Sequence, residues 1–162
     1  MTDFATLPAV SSTLCEVLRD AFAGIGAVAE VHDLQARPPT SPPRVTVFLY
    51  EVVEDFRTGQ HPLVRPADRA GKGPELLILR YLVTAWGADR TIEQKMLGCV
   101  VRHFYDNPVV ARAALQGSLA GSNQSLKIAS APRTLDEMTR LWQALGQPFR
   151  LSLSYEVRVG GG

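Results

Sequence analysis

The run LLILRYLVTAW, residues 76–86, has the strongest strand composition in this sequence. One alternating face would consist of Leu77, Leu79, Tyr81, Val83 and Ala85. The other face would include Ile78, Leu82 and Trp86. A strand that is apolar on both faces is covered from both sides of its sheet. We therefore predict a central strand here, with Trp86 anchoring the core at its end.

The segment after this strand predicts a helix that begins almost at once. Residues 87–89 turn the chain, and Thr91 and Gln94 have the spacing of a capping box. Apolar residues then recur at helical spacing until residues 107–108, Asn-Pro, end the pattern. Neither a GxGxxG nor a P-loop signature is present, so this junction lacks the backbone cradle of a nucleotide site. We predict no cofactor.

A second strand is predicted at residues 45–53, which are rich in β-branched and aromatic side chains. Strict alternation places Glu51 on the face of the odd-numbered residues. The candidate catalytic set of a small hydrolase would consist of Glu51, Glu54, Asp55 and His61. Glu51 and Glu54 fall on opposite sides of the strand, so the acids do not converge and mark its solvated end. We predict no catalytic residues and no metal ligands.

Two more amphipathic helices are predicted, one near each end of the chain. Apolar residues recur at helical spacing over residues 10–22. Thr134 and Glu137 have the spacing of a second capping box, ahead of an apolar stripe that includes Trp142. Trp142 is predicted to anchor the core together with Trp86.

The segments between these elements give weaker signals. Residues 27–34 are a short β-like run, and the four prolines of residues 36–44 indicate an extended connection. Residues 109–124 are ambiguous: VVARAALQ could form a short helix, whereas GSLAGSN fits a flexible connection. Residues 125–131 are a plausible short strand.

The final strand, predicted at residues 149–159, shows the cleanest alternation of the chain. Its polar face consists of Arg150, Ser152, Ser154, Glu156 and Arg158. This face meets either solvent or a neighbouring subunit, and an exposed strand edge is a template for pairing. We therefore predict Arg150 and Arg158 as protein-binding residues, and expect a chain with both charges reversed to remain folded.

Length and composition favour one soluble domain spanning residues 1–162. The chain is 46% hydrophobic, enough for one core, and carries 17 Lys and Arg against 16 Asp and Glu. A net charge of +1 provides no field that would attract nucleic acid or an anionic membrane. Cys15 and Cys99 lie in apolar helical patterns, as expected of core residues in a reducing compartment. No signal peptide or membrane span is indicated, so we expect synthesis in the cytoplasm.

Residues 56–75 predict a long basic loop. Loops of about twenty residues are uncommon within compact domains and are often functional. Its basic residues Arg57, Arg65, Arg69 and Lys72 are the leading protein-binding candidates, whereas His61 lacks any partner pattern for catalysis.

Three stretches taken together resemble a known family. They are VTVFLYEVVEDFR at 45–57, LILRYLVTAWGAD at 77–89 and LWQALGQPFRLSLSYEVRV at 141–159. In this order and spacing they resemble the amino-terminal domain of tail-terminator, or cap, proteins of phage-tail-like contractile injection systems, the extracellular ones in particular. The resemblance covers nearly the whole chain. Longer relatives carry a further carboxy-terminal domain, which we expect this chain to lack because it ends at VRVGGG.

The resemblance implies an α+β fold, a small antiparallel or mixed sheet packed against about three helices. It also implies a homohexameric ring at the end of the tail distal to the baseplate, bound to the inner tube protein and the sheath protein. The particle would be assembled after cytoplasmic synthesis, with extracellular release left open. Two other classes stay open: a stand-alone adaptor or protein-binding module, and the small hydrolase considered above. The size of the purified protein separates the ring from both.

Overall fold

The strand predicted to be central occupies the middle of a six-stranded mixed sheet. The computed structural model describes residues 4–55 and 76–161. Its elements are α1 (Thr6–Ala21), β1 (Val28–Val31), β2 (Arg44–Asp55), β3 (Leu76–Trp86), α2 (Arg90–Asp106), β4 (Val109–Ala111), β5 (Gln124–Ser130), α3 (Leu135–Ala144) and β6 (Ser152–Gly161). The strand order is β1-β2-β3-β6-β5-β4. Only the β1–β2 pair is parallel among these strands.

Strand β3 is paired on both edges and buried on both faces. It runs antiparallel to β2 along its whole length and antiparallel to β6 from Leu77 to Thr84. Leu79, Tyr81 and Leu82 have no exposed side-chain surface. The predicted central strand is therefore confirmed.

Helices α1 and α2 cover one face of the sheet. Their apolar stripes, including Val10 and Leu18 of α1 and Met96 of α2, pack on the odd-numbered residues of β3. A buried polar contact in this layer joins Ser11 Oγ to the Tyr81 hydroxyl at 2.8 Å. Burial raises the pKa of Tyr81. The hydroxyl therefore remains a neutral hydrogen-bonding group inside the core.

Helix α3 covers part of the opposite face. A second apolar cluster here consists of Leu34, Leu82, Trp86, Met138 and Trp142. Trp142 Nε1 donates to Ser152 Oγ at 3.2 Å, so the indole is satisfied as well as buried. Both tryptophans lie in the core, as predicted, and the α+β arrangement with helices on the sheet is confirmed.

Of the two predicted capping boxes, the one before α3 is present and the one before α2 is not. Thr134 and Glu137 form the capping box of α3, each side chain bonded to the other residue's backbone N–H. Thr91 and Gln94 do not cap α2. That helix begins at Arg90, and Asp89 Oδ1 accepts from Ile92 N at 2.9 Å. An N-cap residue needs extended backbone, which Asp89 has and Thr91, already helical, does not.

A β-bulge overturns the predicted facing of Glu51. The register of β2 against β3 shifts between Leu49 and Glu51, so that Glu51 lies opposite Arg80. Two residues of the bulged strand then oppose one of its partner, and alternation restarts on the other face. Glu51 consequently lies on the α3 face with Arg80, away from the face predicted by strict alternation.

The last strand starts later and lies deeper than predicted. It begins at Ser152, and the side chains of Phe149 and Leu151 before it are about half exposed. Strand β6 runs between β3 and β5, so both of its edges are occupied along most of its length. Ser154 of its polar face is buried. The prediction that the edge of this strand pairs across a subunit boundary is therefore wrong.

The ambiguous segment 109–124 resolves into short pieces. Strand β4 pairs antiparallel with β5, and two short 3-10 helices, Arg112–Ala114 and Gly117–Leu119, follow it. Leu115 and Leu119 turn into the core against α1. Strand β5 lies within one residue of its predicted bounds.

We expect Trp142→Ala to lower the free energy of unfolding by about 3–5 kcal/mol, because removing a buried indole leaves a cavity. The Trp142 side chain is 1% exposed, whereas Leu135 on the same helix is 72% exposed. Leu135→Ala is the matched control and should change stability by less than about 0.5 kcal/mol. Urea denaturation followed by circular dichroism measures both. An unchanged midpoint for Trp142→Ala would place this indole outside the core.

Candidate interaction surfaces

The predicted protein-binding residues fall into two groups. Arg57, Arg65, Arg69 and Lys72, with His61, lie outside the described residues. Arg150 and Arg158 lie inside them, before and within β6. The structure gives these two arginines different surroundings.

Arg150 is held inside the molecule. Its guanidinium lies 4.1 Å from the centre of the Trp86 ring, and its Nη2 forms an ion pair with Glu93. The same carboxylate accepts from Gly87 N at 3.1 Å and pairs with Arg90 Nε at 2.8 Å. This cluster ties the β3–α2 turn to the segment before β6. Burial lowers the pKa of Arg150, although Glu93 opposes that shift.

Arg158 is more accessible. About a third of its side chain is exposed, and its Nη2 lies 3.7 Å from Glu156 Oε2. The residue opposite it on β5 is Lys127, which is exposed. The sheet face beyond α3 therefore presents basic side chains here. Arg158 remains a predicted contact residue.

A polar network continues along the same face toward the bulge in β2. Glu51 pairs with Arg80 at 2.8 Å and with Arg133 at 3.5 Å. The Tyr50 hydroxyl bonds to Ser154 Oγ at 2.9 Å and accepts from Arg133 Nε at 3.3 Å. These bonds join the start of α3 to β2 and β6. The bulge is thus part of how the helix docks on the sheet.

Several titratable groups of the described residues have structural partners or surroundings. Glu51 is bound by two guanidinium groups, and no histidine of residues 4–55 and 76–161 is bonded to it. Burial raises the pKa of the Cys15 thiol to about 11, which keeps it protonated and unreactive at neutral pH. Within residues 4–55 and 76–161, no group of His, Cys, Asp or Glu has the arrangement to hold a metal ion. None of the helices in those ranges has both the length and the apolar character to span a bilayer.

A groove of about 620 Å³ opens between α2 and α3 at the end of β5. Its walls and floor include Val101, Tyr105, Pro132, Met138, Ser152 and Leu153. Because β5 ends opposite Tyr155, the first residues of β6 lie beside this groove. The lining is mostly apolar and lacks a pair of facing ionisable groups, so its chemistry suits contact with apolar side chains. Nothing in the sequence pattern indicated this groove, because its walls come from distant segments.

The whole fold is similar to two structures solved by cryo-EM. One is the PVC sheath/tube terminator of an extracellular contractile injection system in the extended state, with a TM-score of 0.61 and 20% identity over 99% of this chain and 58% of that one. The other is the tube terminating cap of the anti-feeding prophage, AFP, with a TM-score of 0.56 and 20% identity over 94% of this chain and 54% of that one. The chain therefore has the fold of a terminator domain and spans just over half the length of each relative.

The sequence also matches a family directly. Residues 9–160 match the model of the Pvc16 N-terminal domain, and the chain belongs to that family. Comparison with curated protein sequences gives no significant match. The resemblance seen in the three sequence stretches is confirmed.

Reversing the charge of Arg150 is expected to destabilise the fold, contrary to the expectation from sequence. Arg150→Glu would place a second carboxylate against Glu93, which is 7% exposed, and remove the cation from the Trp86 ring. Breaking a largely buried pair in this way costs roughly 3 kcal/mol or more. Arg158→Glu, made in the same strand region, should cost less, because a third of the Arg158 side chain is exposed and its nitrogen lies 3.7 Å from Glu156. Equal unfolding midpoints for the two variants would contradict the cluster's structural role.

Proposed function

We propose that this chain is a structural tail terminator, or cap, of a contractile injection system. It would close the inner tube and sheath at the end distal to the baseplate and stop their growth. The observation that carries the proposal is the extent of the match: the family model spans residues 9–160, and a sheath/tube terminator has the same fold over 99% of the chain. The described residues add a scaffold held by apolar layers and ion pairs.

A terminator needs two different surfaces. One must complement the end of the tube or sheath, and the other must offer no equivalent surface to the next layer. We propose a homohexameric ring for this task, matching the sixfold geometry that the resemblance implies. Subunits in such a ring make heterologous contacts, in which one patch meets a different patch on the neighbour. An adaptor would need no ring.

Contact with the tube or sheath is assigned to basic residues. Arg57, Arg65, Arg69 and Lys72 lie in one segment without core periodicity, and Arg158 lies on the open part of the sheet face. Charge pairs at a contact mainly raise the association rate and fix the register. Arg150 is not part of this proposal, because Glu93 and Trp86 already engage it.

The proposal is tested by growing tubes from purified inner tube protein with and without this chain. A terminator should shorten the mean tube length as its molar ratio to tube protein rises, and native mass spectrometry should show six copies per ring. Lengths can be measured by negative-stain electron microscopy. Unchanged tube lengths together with a monomeric chain would contradict the terminator role and favour the adaptor.

Neutralising the basic segment tests the contact surface separately. We expect a variant with Arg57, Arg65, Arg69 and Lys72 all changed to Gln to keep its unfolding midpoint and lose most of its effect on tube length. Arg140→Gln is the control, since Arg140 is an exposed arginine of α3 paired with Asp136. If the four-residue variant caps tubes as well as the parent chain, the segment does not bind the tube.

A further inference from the structure

Three strands of the sheet, β4, β5 and β6, expose side chains on the α3 side. The registers and the alternation along each strand place five side chains on this open face: Val109, Ala111, Lys127, Ala129 and Arg158. The first four residues are exposed, and so is a third of the Arg158 side chain. The residues between them point to the other face and are buried with α1 and α2. The three strands therefore have one face in the core and one that a partner can reach.

The open face is partly apolar and otherwise basic. Three of its five side chains are Val or Ala, and Val109 is 54% exposed. Residues 107–135, which include β4 and β5, contain neither Asp nor Glu. The solvated face of an antiparallel sheet is usually polar. This composition therefore fits contact with another molecule better than contact with water.

The two cations of the open face lie directly opposite each other. Lys127 on β5 faces Arg158 on β6, and the Cβ atoms of such a pair are about 5 Å apart. Like charges in this position destabilise a sheet. Arg158 lies 3.7 Å from Glu156, a carboxylate that also lies 3.9 Å from Arg80, and Lys127 has no carboxylate partner among the described residues. The chain alone therefore carries an unbalanced pair of positive charges on an exposed surface.

We propose that an acidic segment at the end of the inner tube docks on the open face, with one carboxylate placed between Lys127 and Arg158. The short distance between the two side chains lets one carboxylate accept hydrogen bonds from both, and charge-assisted bonds of this kind are strong. Apolar side chains of the same segment would contact Val109, Ala111 and Ala129. This inference deepens the proposed function and rests on it for the identity of the tube as the partner.

Charge and composition favour a protein segment over nucleic acid. A net charge of +1 provides no field that would attract phosphates, and two cations among five side chains are few for a phosphate-binding surface. Protein interfaces instead combine apolar contacts with a small number of polar pairs. A second copy of this chain is a weaker match, because its exposed Glu16, Asp106 and Asp136 already pair with arginines of their own helices.

A zero-length cross-link tests the docking directly. A water-soluble carbodiimide joins a lysine amine to a carboxylate that touches it, and the chain has three lysines, Lys72, Lys95 and Lys127. After treatment of the chain with assembled tubes, peptide mapping by mass spectrometry should find Lys127 joined to an Asp or Glu of the tube protein. Lys127→Arg keeps the charge but removes the amine, so the link should disappear. Lys95, exposed on α2 at the other face of the sheet, reports non-specific coupling.

Charge reversal separates binding from stability. Lys127→Glu places opposite charges across β5 and β6, so it should not lower the unfolding midpoint at low salt. The same change should raise about fivefold the molar ratio of chain to tube protein that halves the mean tube length, because two carboxylates then meet at the contact. This difference should shrink at high salt. Lys95→Glu, the same charge change on α2, is the control and should alter neither quantity.

The outcomes separate this inference from the terminator role. Normal shortening of tubes by Lys127→Glu, with no link from Lys127 in the parent chain, would overturn the inference and leave the terminator role intact. Links from Lys127 to the sheath protein or to a second copy, and none to the tube, would overturn the tube as occupant. A link to the tube without any effect on tube length would support the docking and contradict the terminator. Retardation of double-stranded DNA that Lys127→Glu abolishes would overturn the protein partner.

Discussion

Strand β3 requires apolar cover on both faces, and the arrangement of the other elements follows from that requirement. Its odd-numbered residues need α1 and α2, and its even-numbered residues need α3 with Leu34. The backbone groups along its two edges pair with β2 and β6, so the last strand of the chain lies beside a strand from its middle. A strand buried in this way gains stability from every neighbour, at roughly 25 cal/mol for each Å² of apolar surface removed from water.

The same strand determines the polar contacts around it. Trp86 ends β3 and provides the ring on which Arg150 lies, and Glu93 at the start of α2 holds Arg150 and the turn together. On the α3 face, the bulge in β2 places Tyr50 and Glu51 where Arg133 binds both. These contacts fix α2 and α3 relative to the sheet, which apolar packing alone specifies less strictly.

Patterns that depend on one segment were predictable, and those that depend on two were not. The apolar run of β3, the capping box of α3 and the buried Trp142 were predicted because each signal lies within a single element. The bulge at Tyr50 was not, because it arises from the register of β2 against β3. The internal position of Arg150 likewise depends on Glu93, 57 residues earlier in the chain. The groove between α2 and α3 emerges only when these distant segments come together in the fold.

A terminator would sit at one end of an injection particle, and the position of this chain in a particle can be measured. A short epitope tag on the chain, detected on purified particles by gold-labelled antibody in electron microscopy, gives the location directly. For a terminator we predict label at a single end, the one distal to the baseplate, in particles whose tube and sheath are otherwise complete. Label along the length of the particle, at the baseplate, or absent from intact particles would contradict it.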